Sequence, residues 1–198
     1  MTIPADSEIL ARWPDWYPDA APVGFLLREA YPERWLRIYS LPDAKRYPAS
    51  GFDYTELLRR HNAVADDVVG VGQPCAIILV HTCKGRGVHA IGRAAGLTSS
   101  GLPRLAQLPL ELSDEERGVF VAPMCVFGMQ ATWSRGGFDR FITEVAEDRS
   151  HGLVVSLESG RVYAPYDGGA DLFYLTEHER DRARDRFRTW ASARDDGL

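Results

Sequence analysis

The sequence is poor in lysine and has no long apolar run. Only Lys45 and Lys84 are lysines among 23 basic residues, a bias typical of proteins from GC-rich bacterial genomes. No stretch reaches the roughly 18 apolar residues of a membrane-spanning helix. The opening MTIPADSEIL lacks a basic segment followed by an apolar one, which argues against a secretory signal. We therefore expect a bacterial cytoplasmic protein that does not bind membranes.

Cysteine is also scarce, with residues only at positions 75, 83 and 125. Their number is odd and none lies in a C-x-x-C pair, which argues against a disulfide framework and against a structural zinc site. Cys75 and Cys125 lie in apolar runs, where cysteine behaves as a small hydrophobic residue. Cys83 stands beside Lys84, which would favour a thiolate, so a nucleophilic pair with His81 or His89 is one alternative.

The common ligand-binding motifs are missing. The five histidines show neither H-x-x-x-H nor H-E-x-x-H spacing, and the chain lacks G-x-x-x-x-G-K-[ST], G-x-G-x-x-G and G-x-S-x-G. The segment CKGRGVHAIGRAAG is glycine-rich and basic, so it is either a phosphate-binding loop or a surface loop. We predict no metal and no cofactor.

The charge is acidic and unevenly distributed. The formal net charge is −5, which disfavours nonspecific binding to nucleic acid and to anionic membranes. Residues 1–110 carry 12 basic and 11 acidic groups, whereas residues 111–198 carry 11 basic and 17 acidic groups. The acidic C-terminal half could attract a protein partner with a basic surface, or it could be a solvated surface that aids solubility.

Hydrophobic patterning predicts several helices and strands. DYTELLRRHNAVADDVVG is a helix capped by Asp53, and its His61 lies on the apolar face as a core histidine rather than a ligand. PCAIILVHT predicts a central strand buried on both faces. The prolines of residues 1–22 predict irregular structure there, with Trp13 and Tyr17 packed on the domain as an apolar cover.

The C-terminal third predicts a β-meander followed by a helix. LVVSL, RVYAPYD and ADLFYL alternate as strands, and a capping box at Thr176 and Glu179 opens the terminal helix. The fold class is therefore α+β, with a mainly antiparallel sheet and packed helices. We predict a single domain over residues 1–198, with an irregular glycine-rich insertion at about 83–118.

The segment RVYAPYDGGADLFYL carries two carboxylates around a double glycine. If Gly168 and Gly169 form a two-residue loop with positive φ, Tyr166 pairs with Asp171. Asp171 would then lie on an apolar face and need a hydrogen-bond donor. Asp167 would point to the other side, which is unfavourable for joint metal binding.

This block, continued through the charged helix, resembles a group of uncharacterised bacterial proteins. They end in a Tyr-Asp-x-Gly turn, a strand of Asp and apolar residues, a charged helix and a Trp-containing close. YPERWLRIYSLPDAKRYP and YTELLRRHNAVADDVVG match more loosely. The resemblance implies that Tyr166, Asp167, Gly168 and Asp171 form a signature, and it brings no established activity. Small proteins of this style include toxin-neutralising immunity proteins, which is an analogy.

Two functional hypotheses and one structural alternative follow. The first is a non-enzymatic protein-binding module, similar to an immunity protein, that acts through the acidic half. The second is a small enzyme or ligand-binding protein with a pocket formed by Tyr166, Asp167, Asp171, the Arg46–Tyr47 loop and the glycine-rich segment. In the third the turn is only structural. A pocket that holds Asp171 beside an arginine or a histidine favours the second hypothesis, whereas a single backbone donor on Asp171 counts against it.

Overall fold

The computed structural model describes residues 5–82, 104–108 and 124–192. The helices are α1 (Ala5–Trp16), α2 (Gly24–Ala30), α3 (Gly51–Val68), α4 (Asp139–Ala146) and α5 (Glu177–Arg186), with short 3-10 turns at Pro32–Arg34 and Pro42–Ala44. The strands are β1 (Trp35–Tyr39), β2 (Pro74–Thr82), β3 (Arg104–Leu108), β4 (Met124–Thr132), β5 (Gly152–Ser156), β6 (Val162–Tyr166) and β7 (Gly169–Phe173). In this part of the chain the strands form one antiparallel sheet in the order β1-β7-β6-β5-β2-β4-β3.

Helices cover both faces of the sheet. On one face, α3, α4 and α5 pack over a core that includes Leu36 and Ile38. On the other face, which we call the α1 face, α1 and α2 pack over a core that includes Trp35 and Phe173. Successive side chains of a strand point to opposite faces, so Arg37, between Leu36 and Ile38, lies on the α1 face.

The predicted α+β class, the meander and the terminal helix are confirmed. Strands β5, β6 and β7 form the meander, and β1 extends it by pairing with β7. β2 lies between β5 and β4, and its residues Cys75–Val80 are all buried, as expected for a strand covered on both faces. The Thr176 hydroxyl accepts a hydrogen bond from the amide of Glu179 at 3.2 Å, which confirms the predicted cap of α5.

The N-terminal segment differs from its prediction. We expected irregular structure over residues 1–22, but α1 spans Ala5–Trp16, with Pro14 in its last turn. Ile9, Trp13 and Tyr17 recur at a spacing of four residues and are all buried, so they form a packing face that outweighs the cost of the proline. The predicted apolar cover of Trp13 and Tyr17 is confirmed.

One part of the predicted insertion at about 83–118 is described. Arg104–Leu108 forms β3 and pairs with β4, and the irregular character of the insertion stays a prediction. The remainder of the predicted insertion, with the glycine-rich basic segment, Cys83 and His89, lies outside the described residues. The single-domain organisation stays a prediction.

Helix α3 begins at Gly51, and its cap is Ser50 rather than the predicted Asp53. The Ser50 hydroxyl accepts a hydrogen bond from the Asp53 amide at 3.2 Å. His61 is buried in the core, and its Nε2 and Nδ1 lie 2.7 Å from the Ser40 hydroxyl and 2.6 Å from the Tyr163 hydroxyl. The prediction of a core histidine with hydrogen-bond partners is confirmed.

The two described cysteines differ in state. Cys75 is a free thiol in the buried core. Cys125 is buried in the core, as its apolar run predicted, but it is disulfide-bonded, so the sequence argument against disulfides is wrong at this residue.

None of the described helices is both long and apolar enough to cross a membrane.

Candidate functional site

The β6–β7 hairpin turns at Asp167–Gly168, not at the predicted Gly168–Gly169. Tyr166 pairs with Gly169, and Ala164 pairs with Asp171. The predicted register was therefore wrong by two residues, but a shift of two leaves every side chain on its predicted face.

The double glycine has a different cause from the one we predicted. Neither Gly168 nor Gly169 has a positive φ. A Cβ atom at Gly169 would instead overlap the carbonyl oxygen of Ile38 on the neighbouring strand. Gly169 is therefore required by the close approach of β1 rather than by turn geometry.

Asp171 lies on the α1 face and accepts three hydrogen bonds from side chains. Its Oδ1 accepts from Trp35 Nε1 and from Arg37 Nε, both at 2.8 Å, and its Oδ2 accepts from Arg37 Nη2 at 3.0 Å. The carboxylate is 8% exposed and Arg37 is 12% exposed. This bidentate pairing of arginine with a carboxylate is short, directional and largely shielded from water.

Aromatic rings hold the Arg37 guanidinium from two sides. Its central carbon lies 5.2 Å from the ring centre of Trp35 and 4.6 Å from that of Tyr166. Burial lowers the pKa of Arg37, but the hydrogen bonds and negative charge of Asp171 outweigh burial and raise that pKa above its ordinary value. Arg37 is therefore a fixed positive charge.

A cavity of about 810 Å³ opens above this pair, on the α1 face. Its lining comes from β1, β7, β6, β5 and β2, from the beginning of α2 and from the β6–β7 turn. We call it the Asp171 cavity. Its volume is in the range of pockets that enclose a small organic molecule.

Arg28 of α2 is a second arginine in the Asp171 cavity. Its Nη1 lies 4.0 Å from Asp171 Oδ2, beyond hydrogen-bond distance, and its side chain is 26% exposed. Its guanidinium carbon lies 5.6 Å from the ring centre of Trp35. Asp171 accepts its hydrogen bonds from Arg37 and Trp35, so Arg28 shares this carboxylate only through the 4.0 Å ion pair. Among the described residues, no carboxylate lies within hydrogen-bond distance of the donor groups of Arg28.

Asp167 borders the same cavity at the turn. Its Oδ2 accepts hydrogen bonds from Arg46 Nε at 2.7 Å and from the Tyr47 hydroxyl at 2.9 Å. These bonds to Asp167 raise the pKa values of both Arg46 and Tyr47. Asp167 thus anchors the loop after β1 to the hairpin.

The structure brings the five predicted site residues to one place. Tyr166, Asp167, Asp171 and Arg46 line the cavity, and Tyr47 reaches it through its bond to Asp167. Their predicted role in binding stays a prediction. Asp167 and Asp171 both border this cavity, and the expectation that their side chains point to opposite sides of the sheet stays a prediction.

Sequence reasoning missed Trp35, Arg37 and Arg28. The alternation in WLRIY does place Trp35 and Arg37 on one face, so the first two could have been recognised as neighbours. Nothing in the sequence indicates that Arg28 packs beside them. In the described ranges, no group of three His, Cys, Asp or Glu side chains is arranged to hold a metal ion.

Comparison with known proteins identifies a family. A family model described as a domain of unknown function, DUF3885, matches residues 23–195, a segment that includes every charged residue around the Asp171 cavity. No curated protein and no solved structure matches the chain. Because the match spans most of the sequence, the chain belongs to the DUF3885 family of uncharacterised domains.

Proposed function

We propose that the protein binds a small organic anion in the Asp171 cavity. The observation that carries this proposal is Arg28, whose guanidinium lines the cavity. It lies 4.0 Å from Asp171, whose oxygens accept hydrogen bonds from Arg37 and Trp35 instead, so in the described part of the chain Arg28 has no carboxylate at hydrogen-bond distance. Arginine has planar, paired donors that match the oxygens of a carboxylate or a phosphate.

The charge of the cavity supports the same ligand class. Arg28, Arg37 and Arg46 line it together with Asp167 and Asp171, so three positive charges face two negative ones. The whole chain has a formal net charge of −5. A local excess of positive charge in an acidic protein favours an anion at this place over the rest of the surface.

The remaining polar groups support binding rather than covalent chemistry. Burial raises the pKa of Tyr166, so its phenol stays protonated at neutral pH and can donate a hydrogen bond to an anion. No serine, threonine, cysteine or lysine lines the cavity within the described part of the chain, so this lining offers none of the usual nucleophiles except carboxylates, His151 and tyrosines.

A charge-matched pair of probes tests the proposal. We expect hexanoate to bind the full-length protein in calorimetry, and its neutral counterpart hexanamide to bind at least tenfold more weakly. Arg28→Gln should weaken hexanoate binding by about 10- to 100-fold, the effect of one charge-assisted interaction. The matched control is Arg59→Gln, because Arg59 is exposed on α3 at the opposite face and pairs with Glu56.

Two results would contradict anion binding. One is equal affinity for hexanoate and hexanamide. The other is an Arg28→Gln variant that binds hexanoate as tightly as the Arg59→Gln control does.

The protein-binding module predicted from the acidic C-terminal half stays a prediction. Many of the carboxylates that motivated it have partners within the chain, such as Glu144 with Arg149, and Glu179 with Arg161. Paired carboxylates contribute less to an attractive surface field, so the cavity has the stronger support. The cytoplasmic location likewise stays a prediction.

A further inference from the structure

We infer that the ligand is amphipathic, with an oxyanion head at Arg28 and an apolar body that extends across the sheet toward β2. This inference rests on the proposed anion binding and names the class of anion. Its basis is the separation of charged and apolar groups along the Asp171 cavity.

The charged end lies at the β1 edge of the cavity. In the strand register, Arg37 on β1 lies opposite Asp171 on β7, and Asp171 lies opposite Ala164 on β6. The cavity lining therefore changes from charged to apolar within three strands. Leu153 on β5 and Val80 on β2 continue the lining on the same face.

The apolar end is long enough for a hydrocarbon segment. From β6 across β5 to β2 there are two inter-strand spacings, about 10 Å, which is about the length of an extended eight-carbon chain. His151 also lines this part but is 69% exposed, so it stands at the rim. A head group at Arg28 would therefore place its body over Ala164 and Leu153.

Phe25 supplies an exposed apolar wall. It lines the cavity near the beginning of α2 and is 39% exposed. An apolar ligand body would cover it. Val23, which also lines the cavity, lies beside it in sequence.

A homologous series of straight-chain carboxylates tests the inference. We expect the Kd of the full-length protein to tighten about fourfold for each methylene from butyrate to octanoate, the transfer effect of one buried CH₂. The gain in affinity should stop near eight carbons, where the apolar lining from β6 to β2 ends. Octyl phosphate, compared with octanoate, then shows which oxyanion head Arg28 prefers, and tighter binding of either one fits the inference.

A matched pair of surface variants locates the apolar body. Phe25→Ser should weaken octanoate binding about fivefold and weaken butyrate binding less, because the longer chain covers more of the Phe25 ring. Phe52→Ser is the control, since Phe52 is 77% exposed and is not part of the cavity lining. Both substitutions lie at exposed positions, so folding should be preserved.

The outcomes separate this inference from the proposed function. If affinity is independent of chain length but still falls on Arg28→Gln, the amphipathic ligand is wrong and anion binding stands. If octanoate affinity rises with length yet ignores Arg28→Gln, the head group is misplaced and both statements fail. If Phe52→Ser weakens binding as much as Phe25→Ser, the chain does not lie in the Asp171 cavity.

Discussion

Asp171→Ala is expected to lower the free energy of unfolding by about 3–5 kcal/mol, the cost of removing one partner from a buried ion pair. The substitution leaves the Arg37 guanidinium, 12% exposed, and the indole N–H of Trp35 without their acceptor. Urea unfolding followed by circular dichroism measures the change.

Two variants make this result specific. Asp167→Ala removes the other carboxylate of the hairpin. Because its partner Arg46 is 64% exposed, this substitution should lower the free energy of unfolding by at most about 1 kcal/mol. The double variant Arg37→Met/Asp171→Leu removes both charges and should recover much of the stability lost in Asp171→Ala. Equal losses for Asp171→Ala and Asp167→Ala would show that the buried pair is not the stronger of the two.

The protein is expected to lose stability as the pH falls below about 6.5, because of His61. Burial lowers the pKa of His61 from 6.5 to about 3, and the nearby positive charge of Arg60 adds to this effect. Below pH 6.5 the unfolded chain binds a proton at this position and the folded chain does not. The free energy of unfolding therefore decreases by up to about 1.4 kcal/mol per pH unit from this group, down to pH 3.

Between pH 6.5 and about 5.5 the histidine dominates the slope. Carboxylates such as Glu56, whose pKa is lowered from 4.5 to about 2 in the folded chain, add their own loss once the unfolded-state carboxyl takes up protons, near pH 5 and below. Urea unfolding at several pH values within the window gives the slope. His61→Gln keeps hydrogen-bonding groups but does not titrate, so it should flatten the slope even if its overall stability is lower. An unchanged slope in His61→Gln would assign the acid sensitivity to another group.

The parts of the fold that local patterns determine were predictable. The apolar spacing of α3 predicts a helix, and the unbroken apolar run of β2 predicts a buried strand. The strands of the meander are predicted by their alternation of apolar and polar residues. α1 was not predicted, because the prolines of this segment argue against regular structure, whereas the four-residue spacing of Ile9, Trp13 and Tyr17 favours a helix. These side chains stabilise a helix only when a sheet face is available to bury them.

The site was predictable in part for the same reason. A double glycine resembles a two-residue turn, whereas Gly169 is needed because β1 packs against it, which is tertiary information. Asp171 was recognised from its apolar strand, and its need for a donor is met by Arg37 and Trp35. Arg28 comes from a separate helix, so its approach to Asp171 could not be read from the chain.

Asp171 and Arg28 have different parts in this account. Asp171 makes three hydrogen bonds and has little capacity left for a ligand, so it positions Arg37 and Trp35. Arg28 lines the cavity 4.0 Å from Asp171, and its donors have no carboxylate at hydrogen-bond distance among residues 5–82, 104–108 and 124–192. The cavity holds Asp171 beside Arg28 and Arg37, the arrangement that favours a ligand-binding protein over a purely structural turn.

The most direct test is a titration of the ¹⁵N-labelled protein with octanoate, observed at the tryptophan indole N–H signals. Trp35 Nε1 donates to Asp171 beside Arg28, whereas Trp133 Nε1 donates to Asp66 at 2.7 Å and packs on the α3 side of the sheet. Trp35→Phe assigns the first signal. We predict that the Trp35 signal moves with octanoate concentration and that the Trp133 signal stays in place. A stationary Trp35 signal at saturating octanoate would contradict anion binding in the Asp171 cavity.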